Sequence, residues 1–195
     1  MSHHIYHTCG IILASNAVGE SNRFYKIFTE ELGLIGGSAQ SVREGKSKLR
    51  YTLQDYSIVN VDLVRGKEVW RIVSAGEHRS LDTIKNDQTR LKHFASYCAL
   101  LSRFLHGEGR DQELFDEIIS VIDFLEKETI PEELTLSFES LATFRVLARL
   151  GYVDPEGYRN FFVRDAYSAG ILKDFEKIRP KVLHKINEAL IYSHL

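Results

Sequence analysis

Gly10-Ile11-Ile12-Leu13, then Gly19-Glu20-Ser21-Asn22-Arg23, then Phe28-Thr29-Glu30-Glu31-Leu32-Gly33 decide how this chain is read. They spell a strand, a tight turn, a second strand and a second turn. Apolar and small residues continue through Leu34-Ile35-Gly36-Gly37-Ser38-Ala39. Short β-favouring runs separated by turn residues, confined to the first eighty positions, predict a small β-barrel. The chain beyond residue 80 has a helical period instead.

Working outward, residues 4–14 form the first strand, carried by Ile5, Tyr6, Ile11, Ile12 and Leu13. Asn16-Ala17-Val18-Gly19 has the chemistry of a turn. Residues 21–29 hold Phe24, Tyr25, Ile27 and Phe28, which favour a strand, although their spacing also suits one helical turn. Residues 34–42 make the third strand, and Gly36-Gly37 within it predicts a bulge or a sharp barrel bend. Residues 43–51 are polar and basic and read as a loop. Residues 55–65 form the fourth strand, with Val59, Val61 and Leu63 alternating with Asn60 and Asp62. Arg65-Gly66-Lys67-Glu68 turns the chain into a fifth strand over residues 69–75, with Trp70, Ile72 and Val73. Five strands in about eighty residues fit an OB-type barrel.

From Leu81 onward the apolar period changes from two to about 3.6. Leu91, Phe94, Ala95, Cys98, Leu101 and Leu105 mark one helical face, read as core, and Gly107 and Gly109 stop that helix. Leu114, Phe115, Ile118, Ile119, Ile122 and Leu125 mark the next. Pro131 introduces a third helix over residues 134–150, which Gly151 terminates. Residues 166–192 read as one or two shorter helices interrupted near Pro180. The expected fold is therefore α+β: a five-stranded OB barrel over residues 1–78 followed by an all-helical domain over residues 79–195.

The 195 residues carry 25 basic and 27 acidic side chains, a net charge of −2. Such a balance counts against a protein held on nucleic acid by its global field, and leaves room for a locally basic face. At 44% hydrophobic and 27% charged, the chain has an ordinary globular composition. Cys9 and Cys98 are its only cysteines. They cannot form a four-cysteine zinc site and are expected to be reduced, partly buried thiols. The N-terminus lacks the basic and apolar regions of an export signal, and no apolar run reaches the length of a membrane span. His3, His4 and His7 are read as frayed, exposed terminal histidines rather than metal ligands.

No Ser-His-Asp signature, Walker loop, His-Glu-x-x-His or G-x-G-x-x-G occurs, so no enzyme, cofactor or metal is expected. Glu30-Glu31 and Glu132-Glu133 are adjacent pairs whose carboxylates point apart, and the second pair suits a helix start. Residues 1–78 hold nine basic and eight acidic side chains. The densest cationic cluster is Arg43, Lys46, Lys48 and Arg50, interrupted only by Glu44. Four cations on one loop can neutralise phosphates, and Tyr51 and Tyr56 lie close enough to offer stacking faces. By composition alone the same segment is also a solvated loop. A second basic region, Arg179, Lys181, His184, Lys185 and His194, is either a solvated helix face or a site for an acidic peptide or DNA.

These segments, in this order and spacing, resemble the RecO family of bacterial recombination mediators. The resemblance rests on Gly10–Leu13, Gly19–Arg23 and Phe28–Gly33 as quoted. It continues through Gly37-Ser38-Ala39-Gln40-Ser41-Val42-Arg43 to Ser47-Lys48-Leu49-Arg50, then Leu53-Gln54-Asp55-Tyr56 and Ser74-Ala75-Gly76-Glu77. In the second half, Phe144-Arg145-Val146-Leu147-Ala148-Arg149-Leu150-Gly151-Tyr152 is similar to the family's helix ending in Leu-Gly-Tyr.

The resemblance implies an OB-fold domain followed by a helical domain. It implies DNA repair and homologous recombination, through binding of single- and double-stranded DNA and annealing of complementary strands. It further implies partnership with RecR in loading RecA, contact with the acidic C-terminal tail of single-stranded-DNA-binding protein, a possible part for RecF, and a cytoplasmic, nucleoid-associated location. By position, Arg23, Lys26, Arg43, Lys46, Lys48, Arg50, Tyr51 and Arg71 are the expected DNA-binding residues. Many family members carry a cysteine zinc module after Leu-Gly-Tyr. Here Tyr152 is followed by Val153-Asp154-Pro155-Glu156-Gly157-Tyr158, so a short form without that metal is expected. Where some members place an Arg pair, this chain has Ser140 and Leu141; Arg145, Arg149, Lys181 and Lys185 are the expected substitutes for partner binding. The alternative function is a non-catalytic adaptor whose barrel meets a protein and touches DNA little. An OB-fold accessory module such as a tRNA binder is a third reading.

Overall fold

The computed structural model describes residues 4–162 and 167–192. His3 and His194, and the start of the last expected helix at Ala166, lie outside them. Five strands, β1 (Ile5–Val18), β2 (Asn22–Thr29), β3 (Gly33–Ala39), β4 (Ile58–Arg65) and β5 (Trp70–Arg79), close into a barrel in the order β1-β2-β3-β5-β4. All pairings are antiparallel except β3 with β5, where Gly37 faces Trp70 and Ser38 faces Arg71. β1 is long because it serves two neighbours. Ile5–Ile11 pairs with β4, and Gly10–Val18 pairs with β2. A register shift between Ile12 and Ala14 bends it from one neighbour to the other. This is the OB-type barrel expected from the alternating first half.

Several boundaries differ from the sequence reading. Asn16, Ala17 and Val18 are not a turn; they pair with Phe24, Arg23 and Asn22. The turn comes later, at Gly19-Glu20-Ser21, where Gly19 adopts φ 60°, a conformation that favours glycine. Gly36 and Gly37 make no bulge, for both keep regular register with Lys26 and Tyr25. Their missing side chains allow close approach instead: a Cβ on Gly36 would sit 2.6 Å from Phe24 Cζ. The bulges fall in β1 and in the β4–β5 ladder. The polar connection after β3 contains a one-turn helix, α1 (Leu49–Thr52), too short to show a period in sequence. β4 starts at Ile58 rather than Asp55, and β5 extends to Arg79. His7 is not frayed: it lies in β1, and its Nδ1 is 2.6 Å from Asp62 Oδ1.

The barrel core follows period two, with Tyr25, Ile27, Ile35, Val61, Leu63 and Trp70 inside. After it come α2 (Asp82–Lys85), α3 (Gln88–Phe104), α4 (Gln112–Lys127), a 3₁₀ turn at Glu132–Leu134, α5 (Thr135–Arg149), a second 3₁₀ turn at Arg159–Phe162, and α6 (Ala169–Tyr192). The stripes read from sequence are buried, including Phe94, Cys98 and Leu101 on α3 and Ile118, Ile122 and Leu125 on α4. Gly151, at φ 79°, ends α5 as expected, and Tyr152 N–H closes back on the Leu147 carbonyl. α6 is one helix of 24 residues with Pro180 inside it, not two.

Two compact units result: Met1–Asp82 with Cys98–Phe115, and Thr83–Tyr97 with Asp116–Leu195. In the first, the segment after α3 is stitched to the barrel. Gly109 N–H donates to the Leu32 carbonyl, and Glu108 receives both Arg65 and the Trp70 indole N–H. Gly33 must be glycine, because it has φ 67° and a Cβ there would collide with the Gly109 backbone.

Candidate nucleic-acid interface

The β1–β2 turn and the β3–β4 connection meet at one mouth of the barrel. Arg43 joins them, its backbone N–H donating to the Ser21 carbonyl and its Nη1 to the Gly19 carbonyl at 3.0 Å. Ser41 N–H donates to Asn22 Oδ1 at 3.0 Å. The connection is conformationally constrained near both ends. Ser41 has φ 52° and Tyr56 has φ 65°, left-handed values that side-chain-bearing residues rarely adopt.

A groove of about 540 Å³ opens at this mouth, lined by Arg23, Arg43, Arg50, Tyr25, Gln54 and Asp55, with Val42 and Leu53 as its apolar floor. The sequence explains each position. Arg23 shares strand parity with the core residues Tyr25 and Ile27, so it turns inward where the barrel ends. Arg43 begins the loop after β3, and Arg50 lies on the one-turn helix α1. Arg23 is positioned by a 3.1 Å hydrogen bond from its Nη1 to Ser15 Oγ. Tyr25 is fully buried. Burial pushes its hydroxyl above the usual tyrosine range, the Arg23 guanidinium opposes that rise, and Asp55 adds to it. Two polar atoms at the groove, Arg23 Nε and Asp55 Oδ1, are buried without a hydrogen-bond partner among the described residues, and the buried Tyr25 hydroxyl faces the Arg23 guanidinium.

Of the eight expected DNA-binding residues, the fold thus brings together Arg23, Arg43 and Arg50. Tyr51 is the neighbour of Arg50 on α1 and is 72% exposed, a free aromatic face. Lys46 and Lys48 are exposed on the same connection but do not line the groove. Lys26 points to the other side of β2, where its ammonium donates to the Ser102 carbonyl near the end of α3. Arg71 is exposed on β5 between the core residues Trp70 and Ile72, and it too lies off the groove. Tyr25, Gln54 and Asp55 were not foreseen as groove residues. The one available signal was Gln54-Asp55, a polar acidic pair closing an otherwise basic connection.

In the helical unit, Arg145 is not a surface cation. It is 1% exposed, with Nη2 2.6 Å from Glu117 Oε2, and its guanidinium stacks 4.6 Å from the Tyr167 ring centre. Arg149, one turn on, has Nε 3.4 Å from the same Glu117 oxygen. Spacing on one helix face was read correctly, but that face turns inward toward a buried carboxylate. Lys181 is exposed on α6, and the Lys185 ammonium lies 5.1 Å over the Tyr158 ring. No cluster of three or more metal-ligating side chains occurs among the described residues, and no helix there is long and apolar enough to cross a membrane.

Residues 1–86 match the family model for the recombination protein O N-terminal domain. The chain is 33% identical over 150 residues to the DNA repair protein RecO of Dehalococcoides mccartyi strain CBDB1, covering 76% of this chain and 57% of the relative. It is 29% identical over 123 residues to the RecO of Rubrobacter xylanophilus, covering 63% and 49%. It is 24% identical over 173 residues to that of Gloeothece citriformis, covering 89% and 60%. The chain therefore spans about half to three-fifths of the length of these relatives.

Proposed function

We propose that this chain, which belongs to the RecO family, is a non-catalytic DNA-binding protein of repair and recombination that holds single strands at the barrel mouth. The carrying observation is the convergence of Arg23 from β2 with Arg43 and Arg50 from the β3–β4 connection on one groove. Guanidinium groups take phosphate oxygens in a fork, and a lone net charge of −2 does not prevent a local cationic site from doing so. Tyr51 supplies an exposed ring beside the cations, the pairing of groups that single-strand sites use. Neutralised phosphates allow a second, complementary strand to approach, which is the physical basis for annealing.

Double-stranded DNA is the second ligand of this reading. RecR, RecA loading and the acidic tail of single-stranded-DNA-binding protein are its partners, with RecF as a further one. For the tail, the exposed Lys181, with Lys185 one turn away, is the cationic element on α6 that fits. Arg145 has no part in it, because its charge is enclosed with Glu117.

The adaptor reading is supported by the near balance of charge over residues 1–78. Annealing separates the two. With dye-labelled complementary oligonucleotides, the wild-type protein is expected to speed duplex formation above the spontaneous rate, and the Arg43→Glu, Arg50→Glu variant is not. A wild-type protein that leaves the annealing rate unchanged removes the annealing role and leaves the adaptor.

A further inference from the structure

The groove contains a feature that phosphate binding does not use. A site built only for phosphate gains nothing from a carboxylate on its wall, since a like charge weakens it. Yet Asp55 lines the groove with one oxygen, Oδ1, buried and unpartnered among the described residues. Buried acceptors are ordinarily satisfied, so each exception asks for a donor. Gln54, next in the chain, is exposed at the same groove, and its amide can donate or accept. Asp55 is also well positioned. Its neighbours fix the backbone on both sides, Tyr56 N–H donating to the Ile12 carbonyl at 2.8 Å and Ser57 N–H to the Gln54 carbonyl at 3.2 Å.

We propose that this groove seats one unpaired nucleotide and that Asp55 reads its base, favouring bases with an amino group on the pairing edge over thymine. The inference rests on the single-strand reading above. The arginines hold the phosphate at the rim, and the base enters toward Asp55 and Gln54. A carboxylate accepts from the N4 amino group of cytosine, the N6 amino group of adenine, or the N1–H and N2 amino groups of guanine. Beside each amino group of cytosine and adenine lies a ring nitrogen acceptor that the Gln54 amide can serve. Thymine presents an N–H flanked by two carbonyl oxygens, and placing either oxygen against Asp55 is repulsive. The volume of about 540 Å³ admits one nucleotide.

The test compares oligo-dC and oligo-dT of equal length by fluorescence anisotropy at pH 8 and fixed salt. The two are both pyrimidines, so stacking area is nearly matched. Wild-type protein is expected to bind oligo-dC about fivefold more tightly, the lower end of what one base contact discriminates. Asp55→Asn is expected to bring the two within about twofold, weakening oligo-dC and strengthening oligo-dT, because it removes a negative charge from a cationic groove. Equal wild-type affinities overturn the base-reading role while leaving DNA binding intact. So does a preference that survives in Asp55→Asn. The wild-type comparison needs no variant to fold. Protein that binds neither oligonucleotide overturns both the base reading and the DNA reading beneath it.

Discussion

A guanidinium within a hydrogen-bonding groove and a guanidinium within a core are the same group under opposite constraints, and this chain has both. Arg43 and Arg50 are exposed and can give their charge to a ligand. Arg145 cannot, because Glu117 already holds it and both are about 1% exposed. Removing one partner of such a pair strands the other charge in a poorly solvating interior. Glu117→Gln is therefore expected to lower unfolding free energy by about 3–5 kcal/mol in a denaturant titration; a change below about 1 kcal/mol contradicts this account of the pair. Tyr167, whose hydroxyl donates to Glu117 Oε1 at 2.7 Å, belongs to the same network. The cysteines make a second residue-scale case. Burial, aided by Glu30, pushes the Cys9 thiol up to about 11, and burial raises Cys98 further. A raised thiol stays protonated at pH 8 and is a poor nucleophile. Iodoacetamide at pH 8 is expected to modify neither cysteine in the folded protein and both after denaturation, as read by mass spectrometry.

At the scale of elements, legibility depended on whether a signal was periodic or conformational. The strands of the barrel and the stripes of α3, α4 and α5 were readable because alternation and helical spacing report directly which face is buried. Asn16-Ala17-Val18 misled because turn-prone residues can continue a strand when a partner such as Asn22–Phe24 lies opposite. Gly36-Gly37 misled because a glycine pair signals either a bulge or a close approach, and only the Phe24 ring decides between them. Pro180 was read as a break, yet α6 runs through it. Proline in a helix interior forfeits one backbone hydrogen bond and crowds the carbonyl four residues earlier, so tertiary packing must carry it. Val182 and Ile186, both buried just beyond the proline, are the residues that do so. Pro180→Ala is expected to raise unfolding free energy by about 1–3 kcal/mol and strengthen the far-ultraviolet helical signal. A destabilised variant contradicts that reading of α6.

For the whole molecule, the OB barrel and the helices were legible in the sequence, but the groove was only half so. The arginines stood out as a cationic cluster. That Arg23 joins Arg43 and Arg50 while Lys26, Lys46, Lys48 and Arg71 do not depends on strand parity and on how the β3–β4 connection folds back over the β1–β2 turn. Neither is written in charge density. The central claim is that these guanidinium groups bind the phosphates of a single strand, and its signature is ionic. The direct measurement is the affinity for a labelled single-stranded oligonucleotide across a salt series, for the wild-type protein and for Arg43→Glu, Arg50→Glu. Each phosphate neutralised on a single strand contributes about −0.7 to the slope of log affinity against log salt. The account predicts micromolar or tighter wild-type binding at low salt with a steep negative slope, and a variant that binds more weakly with a slope shallower by about 1.4. A flat wild-type slope, or a variant indistinguishable from wild type, would contradict it.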